Sequence, residues 1–133
     1  MTLIESESKT INSPSEEIFN FLSDLNNHQK LMPGQVINWN STTEDCSFTI
    51  QGTGNLSLKI NEKAPYHRIR LVPAGKTPFD FDLVWEIKNE NGNSIVKAFI
   101  NADLNMFMKM LASGPLQNLL NYQVNQLREI FNG

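Results

Sequence analysis

The sequence predicts an α+β domain in which a curved antiparallel sheet of seven strands wraps around one long C-terminal helix, with two short helices between the first and second strands. Three observations lead to this prediction. A capped helical pattern follows the first strand, period-two alternation fills the middle of the chain, and a long amphipathic pattern ends it. Because one helix cannot cover so many flat strands, we expect the sheet to twist around it and to leave an apolar cavity beside one end of the helix.

The two short helices are predicted from capping and turn chemistry. In "NSPSEEIFNFLSD", Ser13 can cap a helix, Pro14 suits a first turn, and Glu16 completes a Ser-x-x-Glu capping box. Apolar residues three or four apart then predict a helix from about Ser15 to Ser23. A second short helix over "LNNHQKLM" is expected to end at Pro33.

Seven segments have the pattern of strands with one apolar face. The alternation is clear in "CSFTI", "NLSLKI", "HRIRL" and "FDFDLVWEI", and "TLIESESKTI", "QVINW" and "SIVKAFINADL" complete the set. Asn91 and Gly92 form a strong signal for a two-residue hairpin turn, and "GTG" at Gly52 to Gly54 is interpreted as another hairpin turn. Short turns between successive strands predict antiparallel neighbours.

The last segment, Met106 to Phe131, carries an apolar stripe but also contains Gly114 and Pro115. Because a proline inside a helix removes a hydrogen bond and costs about 3 kcal/mol, we expect a break there. Ser113 would cap a regular helix from about Pro115 onward, and the methionines before it would line the mouth of the cavity and adapt to different ligands. The stripe consists of Leu116, Leu119, Leu120, Val124, Leu127, Ile130 and Phe131.

Composition narrows the function classes. A chain of 133 residues, 40% hydrophobic and 19% charged, is predicted to form a single domain over residues 1–133. A net charge of -3 without a basic cluster disfavours nucleic acid and anionic membrane surfaces as partners. No apolar stretch approaches the ~20 residues of a membrane helix, and the start lacks a secretory signal, so we expect a cytoplasmic protein. A single cysteine, Cys46, excludes an internal disulfide, and no ligand spacing predicts a metal or another cofactor.

The order of these predicted elements resembles that of one superfamily. The opening "TINSPSEEIFNFLSDLNNHQKLMP", the run of strands and the long terminal helix are together similar to the START-like or Bet v 1-like helix-grip proteins (SRPBCC), which include polyketide cyclases, lipid-transfer domains and plant hormone-binding proteins. The resemblance covers the whole chain. It implies a helix-grip fold with a cavity for a small, mostly apolar ligand such as a lipid, a polyketide or an isoprenoid. The chain departs from the plant proteins at "NSTTEDC", which lacks their glycine-rich loop.

The predicted cavity wall combines inward-facing side chains of the strands with the apolar side of the terminal helix. Trp85 is the best-supported member, because it shares strand parity with Leu83 and Ile87. The same residue types equally build a solid core, so the pattern alone does not separate the two. The candidates are Trp39, Phe48, Leu58, His67, Leu71, Phe81, Leu83, Trp85, Met106, Met110, Leu111, Leu116 and Leu120.

Few polar residues are candidates for chemistry. His67 shares parity with Ile69 and is predicted to point inward, as a polar anchor or a general acid-base group. His28, which has no partner visible in the sequence, is expected on the surface near the cavity rim. Cys46 is expected to be a small buried apolar residue, since no basic neighbour would favour its thiolate.

The charged residues of two adjacent strands are predicted to pair across the solvent face. Arg68 and Arg70 alternate on one strand. The next strand carries the acidic residues Asp80, Asp82 and Glu86. A catalytic pair of carboxylates is the competing interpretation, but these acidic residues are predicted on the solvent-exposed face of the sheet and not in the cavity. Glu5 and Glu7 alternate on the first strand, whose parity the sequence does not determine.

Three functions remain open at this stage. The first is a carrier that binds a small apolar molecule without chemistry. The second is a cyclase or dehydratase, which needs inward polar groups such as His67 with Glu7 or Tyr122. The third is a protein-interaction module with a filled core, which would dock a partner through an exposed edge at Phe107 and Met108.

Overall fold

The structure, a computed structural model, describes residues 2–51, 54–76 and 80–132, without the side chains of residues 107 and 110–112. Part of the predicted turn at Gly52 to Gly54 therefore lies outside the described residues. The elements in chain order are β1 (Thr2–Glu5), β2 (Lys9–Ile11), α1 (Ser15–Leu22), a 3-10 helix (Leu25–Leu31), β3 (Val36–Ser41), β4 (Asp45–Ile50), β5 (Gly54–Ala64), β6 (Arg68–Pro73), β7 (Phe81–Glu90), β8 (Asn93–Ala102) and α2 (Met106–Asn132).

One antiparallel sheet contains all the described strands, in the order β1-β8-β7-β6-β5-β4-β3, with β2 also paired to β8. The described chain thus has eight strands rather than seven, because the predicted first strand is interrupted at Ser6. There the Ser6 backbone N–H donates to the Ala98 carbonyl at 2.8 Å, and the Ala98 N–H donates to Ser6 Oγ at 2.9 Å. A side-chain oxygen replaces a backbone acceptor, so the pairing with β8 continues across the break.

The predicted short helices are both present, and the first begins at Ser15 as predicted but with a different cap. Pro14 is extended (ψ 147°) and occupies the N-cap position, so α1 begins at Ser15. Ser13 therefore lies one residue too early to cap the helix, and its Oγ donates to Glu17 Oε2 at 2.9 Å. The predicted capping box with Glu16 is wrong. The second short helix is a 3-10 helix whose first turn is capped by the Asp24 side chain.

The C-terminal helix is continuous, and the predicted break at Pro115 is wrong. α2 runs from Met106 to Asn132 with Pro115 inside it. Ser113 does not cap a new helix; its Oγ donates to the Lys109 carbonyl at 2.6 Å, one turn back. Both Gly114 and Pro115 are exposed, so the proline ring points away from the packed side of the helix.

All three helical segments pack on the same face of the sheet, which is called the inner face below. α1 lies on β6 and β7, the 3-10 helix on β3 and β4, and α2 on β1, β2 and β8 as well as on the 3-10 helix. The resulting core includes Ile18 and Leu22 of α1, together with Leu120 and Leu127 of α2, and all four are fully buried. The core therefore sits between the sheet and its helices.

The opposite, outer face of the sheet carries paired charges, as predicted. Arg68 Nη2 lies 3.1 Å from Glu86 Oε2, and Arg70 Nε lies 2.8 Å from Asp82 Oδ2. The parity of Glu5, which the sequence left open, is also outward, since Glu5 Oε2 lies 2.8 Å from Lys97 Nζ. Cross-strand ion pairs as exposed as these contribute under about 1 kcal/mol each to the free energy of unfolding.

The hairpin between β7 and β8 gives the first testable prediction. Asn91 and Gly92 both have positive φ, 52° and 84°, as a two-residue type I′ turn requires. We expect Gly92→Ala to lower the free energy of unfolding by about 1–2 kcal/mol, because a Cβ is strained in this region. Urea unfolding measures the effect. Gly34→Ala is the control: its added Cβ meets nothing within 4 Å, and equal losses in both variants would contradict the assignment of strain to Gly92.

Candidate functional site

Most of the apolar residues predicted to line a cavity lie on the inner face of the sheet. Their neighbours along each strand point to the outer face, which explains why parity located them. The strand residues concerned are Trp39, Phe48, Leu58, Leu71, Phe81, Leu83 and Trp85, and α2 adds Leu116 and Leu120 to the same core. The side chains of Met110 and Leu111 lie outside the described residues. That any of these groups contacts a ligand stays a prediction.

The two ends of the inner face differ in how tightly they are packed. At one end α1 and the 3-10 helix bury Leu25 and Leu31 completely. At the other end, where Phe81 begins β7 and α2 begins, apolar side chains of the strands and of α2 are only half-buried. We call this second region the open end; its residues are Val36, Ile50, Leu56, Phe81, Leu104 and Leu116. Four other half-buried apolar residues, Phe21, Trp39, Ile60 and Phe131, lie elsewhere around the core, so the open end is the larger of the two groups.

Trp39, on the edge strand β3, has its polar atom satisfied. Its ring stacks on Phe48 with centroids 5.3 Å apart, and its Nε1–H donates to Ser41 Oγ at 2.9 Å. Ser41 in turn donates to Asn26 Oδ1 at 2.7 Å. This indole is therefore held by the protein itself.

Trp85 and Gln123 differ from Trp39 in this respect. Trp85 is fully buried and Gln123 is 2% exposed, yet neither Trp85 Nε1 nor Gln123 Oε1 has a hydrogen-bond partner among the described residues. The Gln123 amide nitrogen donates to Met32 Sδ at 3.3 Å, so only the amide oxygen is without a partner. A buried donor or acceptor without a partner costs about 1–3 kcal/mol.

His28 is buried, and the prediction that it lies on the surface is wrong. Its ring is 2% exposed, lies edge-on to Trp85 with centroids 6.2 Å apart, and has Nε2 at 2.8 Å from the Leu22 carbonyl. Burial lowers the pKa of His28 from 6.5 to about 4, against the smaller opposing effects of the Leu22 hydrogen bond and the Asp24 charge. The ring is therefore neutral near pH 7, and its Nε2–H donates to Leu22.

Two predicted cavity residues lie elsewhere. His67 is exposed in the turn before β6, so its predicted inward orientation is wrong: the strand begins only at Arg68, and parity does not extend into the turn. Met106 is the first residue of α2 and is 81% exposed, since the helix begins beyond the end of the sheet contacts. Neither residue belongs to the inner face.

His67 lines a groove on the outer face instead. This groove has a volume of about 500 Å³ and is open to solvent. Its charged groups include both members of the Arg68–Glu86 pair, together with Lys97, which Glu5 neutralises. These three charges are matched by cross-strand partners, whereas Glu62 and Lys88, which also line the groove, form no ion pair among the described residues.

The described residues offer neither a reactive thiol nor a metal-binding cluster. Cys46 is buried, as predicted, and burial raises the pKa of its thiol to about 11, with smaller effects from a Leu58 hydrogen bond and the Asp45 charge. A thiol of this kind is a poor nucleophile. Within residues 2–51, 54–76 and 80–132, no cluster of three His, Cys, Asp or Glu side chains could hold a metal ion. None of the helices in these ranges is long and apolar enough to cross a membrane.

The sequence contained a signal for Gln123 that was not used. Gln123 follows Leu120 by three residues and precedes Leu127 by four, so helical spacing places it on the apolar stripe. Conversely Ile130, which was assigned to that stripe, is 42% exposed near the end of the helix. For His28 no comparable signal exists, because the turns of a 3-10 helix are too short to show a period.

Comparisons with known proteins show similarity in fold to solved structures. No family model and no curated protein matches the chain. Among solved structures, XoxI from Bacillus cereus matches with a TM-score of 0.78 and 11% identity, over 99% of this chain and 96% of that chain. An uncharacterized protein from Bacillus thuringiensis matches with a TM-score of 0.76 and 10% identity, over 99% of this chain and 100% of that chain. The Aha1 dimer from Colwellia psychrerythraea matches with a TM-score of 0.68 and 15% identity, over the full length of both chains. At these identities the likeness shows a common fold alone.

The buried histidine predicts a pH dependence of stability. Between pH 6.5 and about 4 the unfolded chain protonates His28 while the folded chain keeps it neutral, so unfolding takes up a proton. We expect the free energy of unfolding to fall by up to about 3 kcal/mol as the pH drops through this window. Urea unfolding at a series of pH values measures the slope.

Two histidine variants test the assignment of this slope. His28→Gln removes the group that must stay neutral, so the pH dependence in the same window should flatten. His67→Gln removes an exposed histidine and should keep the slope of the natural protein. A slope that survives in His28→Gln would show that other groups cause it.

Proposed function

We propose that this protein is a helix-grip carrier of the START-like type, which binds a small, mostly apolar molecule between its sheet and α2. The observation on which the proposal rests is the open end, where six apolar side chains, four of them on strands, are only half-buried. A ligand entering there would cover surface that the helices leave accessible, and each Å² of apolar surface removed from water contributes about 25 cal/mol. The cytoplasmic location expected from the sequence is part of this proposal.

The distribution of charge supports an apolar and neutral ligand. Among the described residues that are buried, the polar ones are four serines, His28 and Gln123, and none is a lysine, arginine, aspartate or glutamate. Charged pairs such as Arg68–Glu86 and Lys97–Glu5 stand on the outer face. A charged ligand inside would lack a counter-charge and would pay a large desolvation cost.

Of the two other functions inferred from the sequence, the enzyme is less favoured by the placement of its candidate residues, and the interaction module stays a prediction. For the enzyme, His67 is exposed on the outer side, Glu7 is exposed and lies 3.2 Å from Lys9, and Tyr122 is 37% exposed and accepts a hydrogen bond from Gln126. For the interaction module, Met108 is half-buried. The Phe107 side chain lies outside the described residues.

Binding of a neutral apolar dye, N-phenylnaphthylamine, tests the carrier proposal. We expect its fluorescence to rise on binding, and Leu56→Gln at the open end to weaken binding about tenfold, or about 1.4 kcal/mol. The added amide would be covered by the ligand without a hydrogen-bond partner. Fluorescence titration gives the dissociation constants.

Leu3→Gln is the matched control for this experiment. Leu3 undergoes the same substitution on β1, but it is 53% exposed and points away from Ile4 of the core. It should leave dye binding unchanged. No dye uptake by the natural protein, or equal losses in the two variants, would contradict a binding site at the open end.

A further inference from the structure

The groove on the outer face carries two opposite charges that have no ionic partner. It is lined by residues of β5 to β8, of the turn before β6 and of the break between β1 and β2, and its volume of about 500 Å³ suits a small molecule. Glu62 and Lys88 line it, and neither forms an ion pair among the described residues. The other lysine, arginine and acidic side chains of the groove are paired.

The register of the strands shows where these two charges lie. Glu62 of β5 is level with Arg70 of β6, and Arg70 is level with Val84 of β7. Lys88 lies four residues further along β7, on the same face of the sheet. The Cα atoms of Glu62 and Lys88 are therefore ~10 Å apart across the strands and ~13 Å apart along them, or ~16 Å in all. The two charges thus stand at different ends of the groove.

His67 joins Lys88 at its end of the groove. The turn that carries His67 is held to β7, because the Ile87 backbone N–H donates to the His67 carbonyl at 2.8 Å. Lys88 is the next residue along β7 and, like His67, lines the groove. A lysine ammonium and an imidazole N–H can both donate to a carboxylate. This end of the groove therefore suits an anionic group, and the Glu62 end suits a cationic one.

The middle of the groove contains charges that already compensate one another. Arg68 Nη2 and Glu86 Oε2 lie 3.1 Å apart there, level with Ala64 of β5. Ile95 adds a half-buried apolar side chain beside Lys88, its partner in the register of β7 and β8. A ligand with a single charge would match one end of the groove and leave the other without a partner. The charge pattern therefore favours a molecule that carries both charges.

We infer that the outer groove binds a short zwitterionic peptide, whose ammonium group meets Glu62 and whose carboxylate meets Lys88 and His67. Because both charged side chains reach into the groove from Cα atoms ~16 Å apart, ligand charges on the order of 10 Å apart would contact both. The two ends of an extended tripeptide have this spacing, since three residues span ~10 Å. The groove lies on the opposite face of the sheet from the open end, so this inference is independent of the proposed carrier function.

Trialanine is the probe, and NMR titration of isotope-labelled protein is the measurement. We expect the backbone amide signals of groove residues, including His67 and Ile95, to shift when trialanine is added. N-acetyltrialanine lacks the ammonium and trialanine amide lacks the carboxylate, so each should bind about fivefold more weakly, as the loss of one exposed ion pair predicts. Alanine carries both charges on one carbon and cannot reach both ends, so it should bind at least as weakly as these.

Glu62→Gln and Lys88→Gln test which protein charge meets which ligand charge. In Glu62→Gln, trialanine and N-acetyltrialanine should bind equally, because acetylation then removes a charge that has no partner. In Lys88→Gln, trialanine and trialanine amide should bind equally for the same reason. Glu90→Gln and Lys59→Gln are the matched controls, since both residues are exposed and lie outside the groove. The controls should keep the full differences between the peptides.

Three results would overturn the inference. The first is the absence of shifts in the groove at the highest soluble concentration of trialanine. The second is an effect of acetylation that survives in Glu62→Gln, and the third is an effect of amidation that survives in Lys88→Gln. Binding of N-phenylnaphthylamine at the open end should be the same in the natural protein and in both variants, so failure of the peptide site leaves the carrier proposal intact.

Discussion

A single long helix can cover only part of the inner face of so wide a sheet, and the rest of the structure depends on how the remainder is covered. α2 lies on β1, β2 and β8, and α1 covers β6 and β7. The 3-10 helix closes the space over β3 and β4. α1 and the 3-10 helix follow β2 directly and pack over β3, β4, β6 and β7, and no further helix of the described residues covers the open end. The asymmetry of the core thus follows from chain order.

The two faces of the sheet separate apolar and charged groups, and this separation gives the interior its chemical character. Each strand of period two sends one set of side chains inward and the other outward. Outward, Arg68, Glu86 and Lys97 neutralise their cross-strand neighbours. Inward, even the one buried titratable base, His28, is kept neutral by burial. The buried part of the described chain therefore offers shape and the hydrogen-bonding groups of uncharged side chains, without a charge.

The sequence correctly predicted an α+β chain with a large antiparallel sheet and a C-terminal helix, and it oriented some candidate residues correctly and others wrongly, for identifiable reasons. Strand parity correctly oriented Trp85 and the paired arginines, because alternation is a local property of a regular strand. It was wrong for His67, which precedes its strand. The break expected at Pro115 followed from propensity, but α2 accommodates the proline on its exposed side, where the ring meets no packed neighbour. The burial of His28 depends on contacts with Leu22 and Trp85, which only the assembled fold brings together.

The comparison of Trp39 with Trp85 shows why unpaired polar atoms carry more functional information here than the apolar lining. Leucine and phenylalanine side chains serve a solid core and a binding cavity equally well, so their presence on the inner face does not separate the two. An indole N–H is different, because burial without a partner is unfavourable in a core that is simply closed. Trp39 obtains its partner from Ser41, two residues along β3, whereas Trp85 is central in the sheet, between β6 and β8, and its polar atom is buried without a partner among the described residues. A phenylalanine at this position would leave no polar atom unpaired, so the indole of Trp85 is a cost that packing alone does not explain.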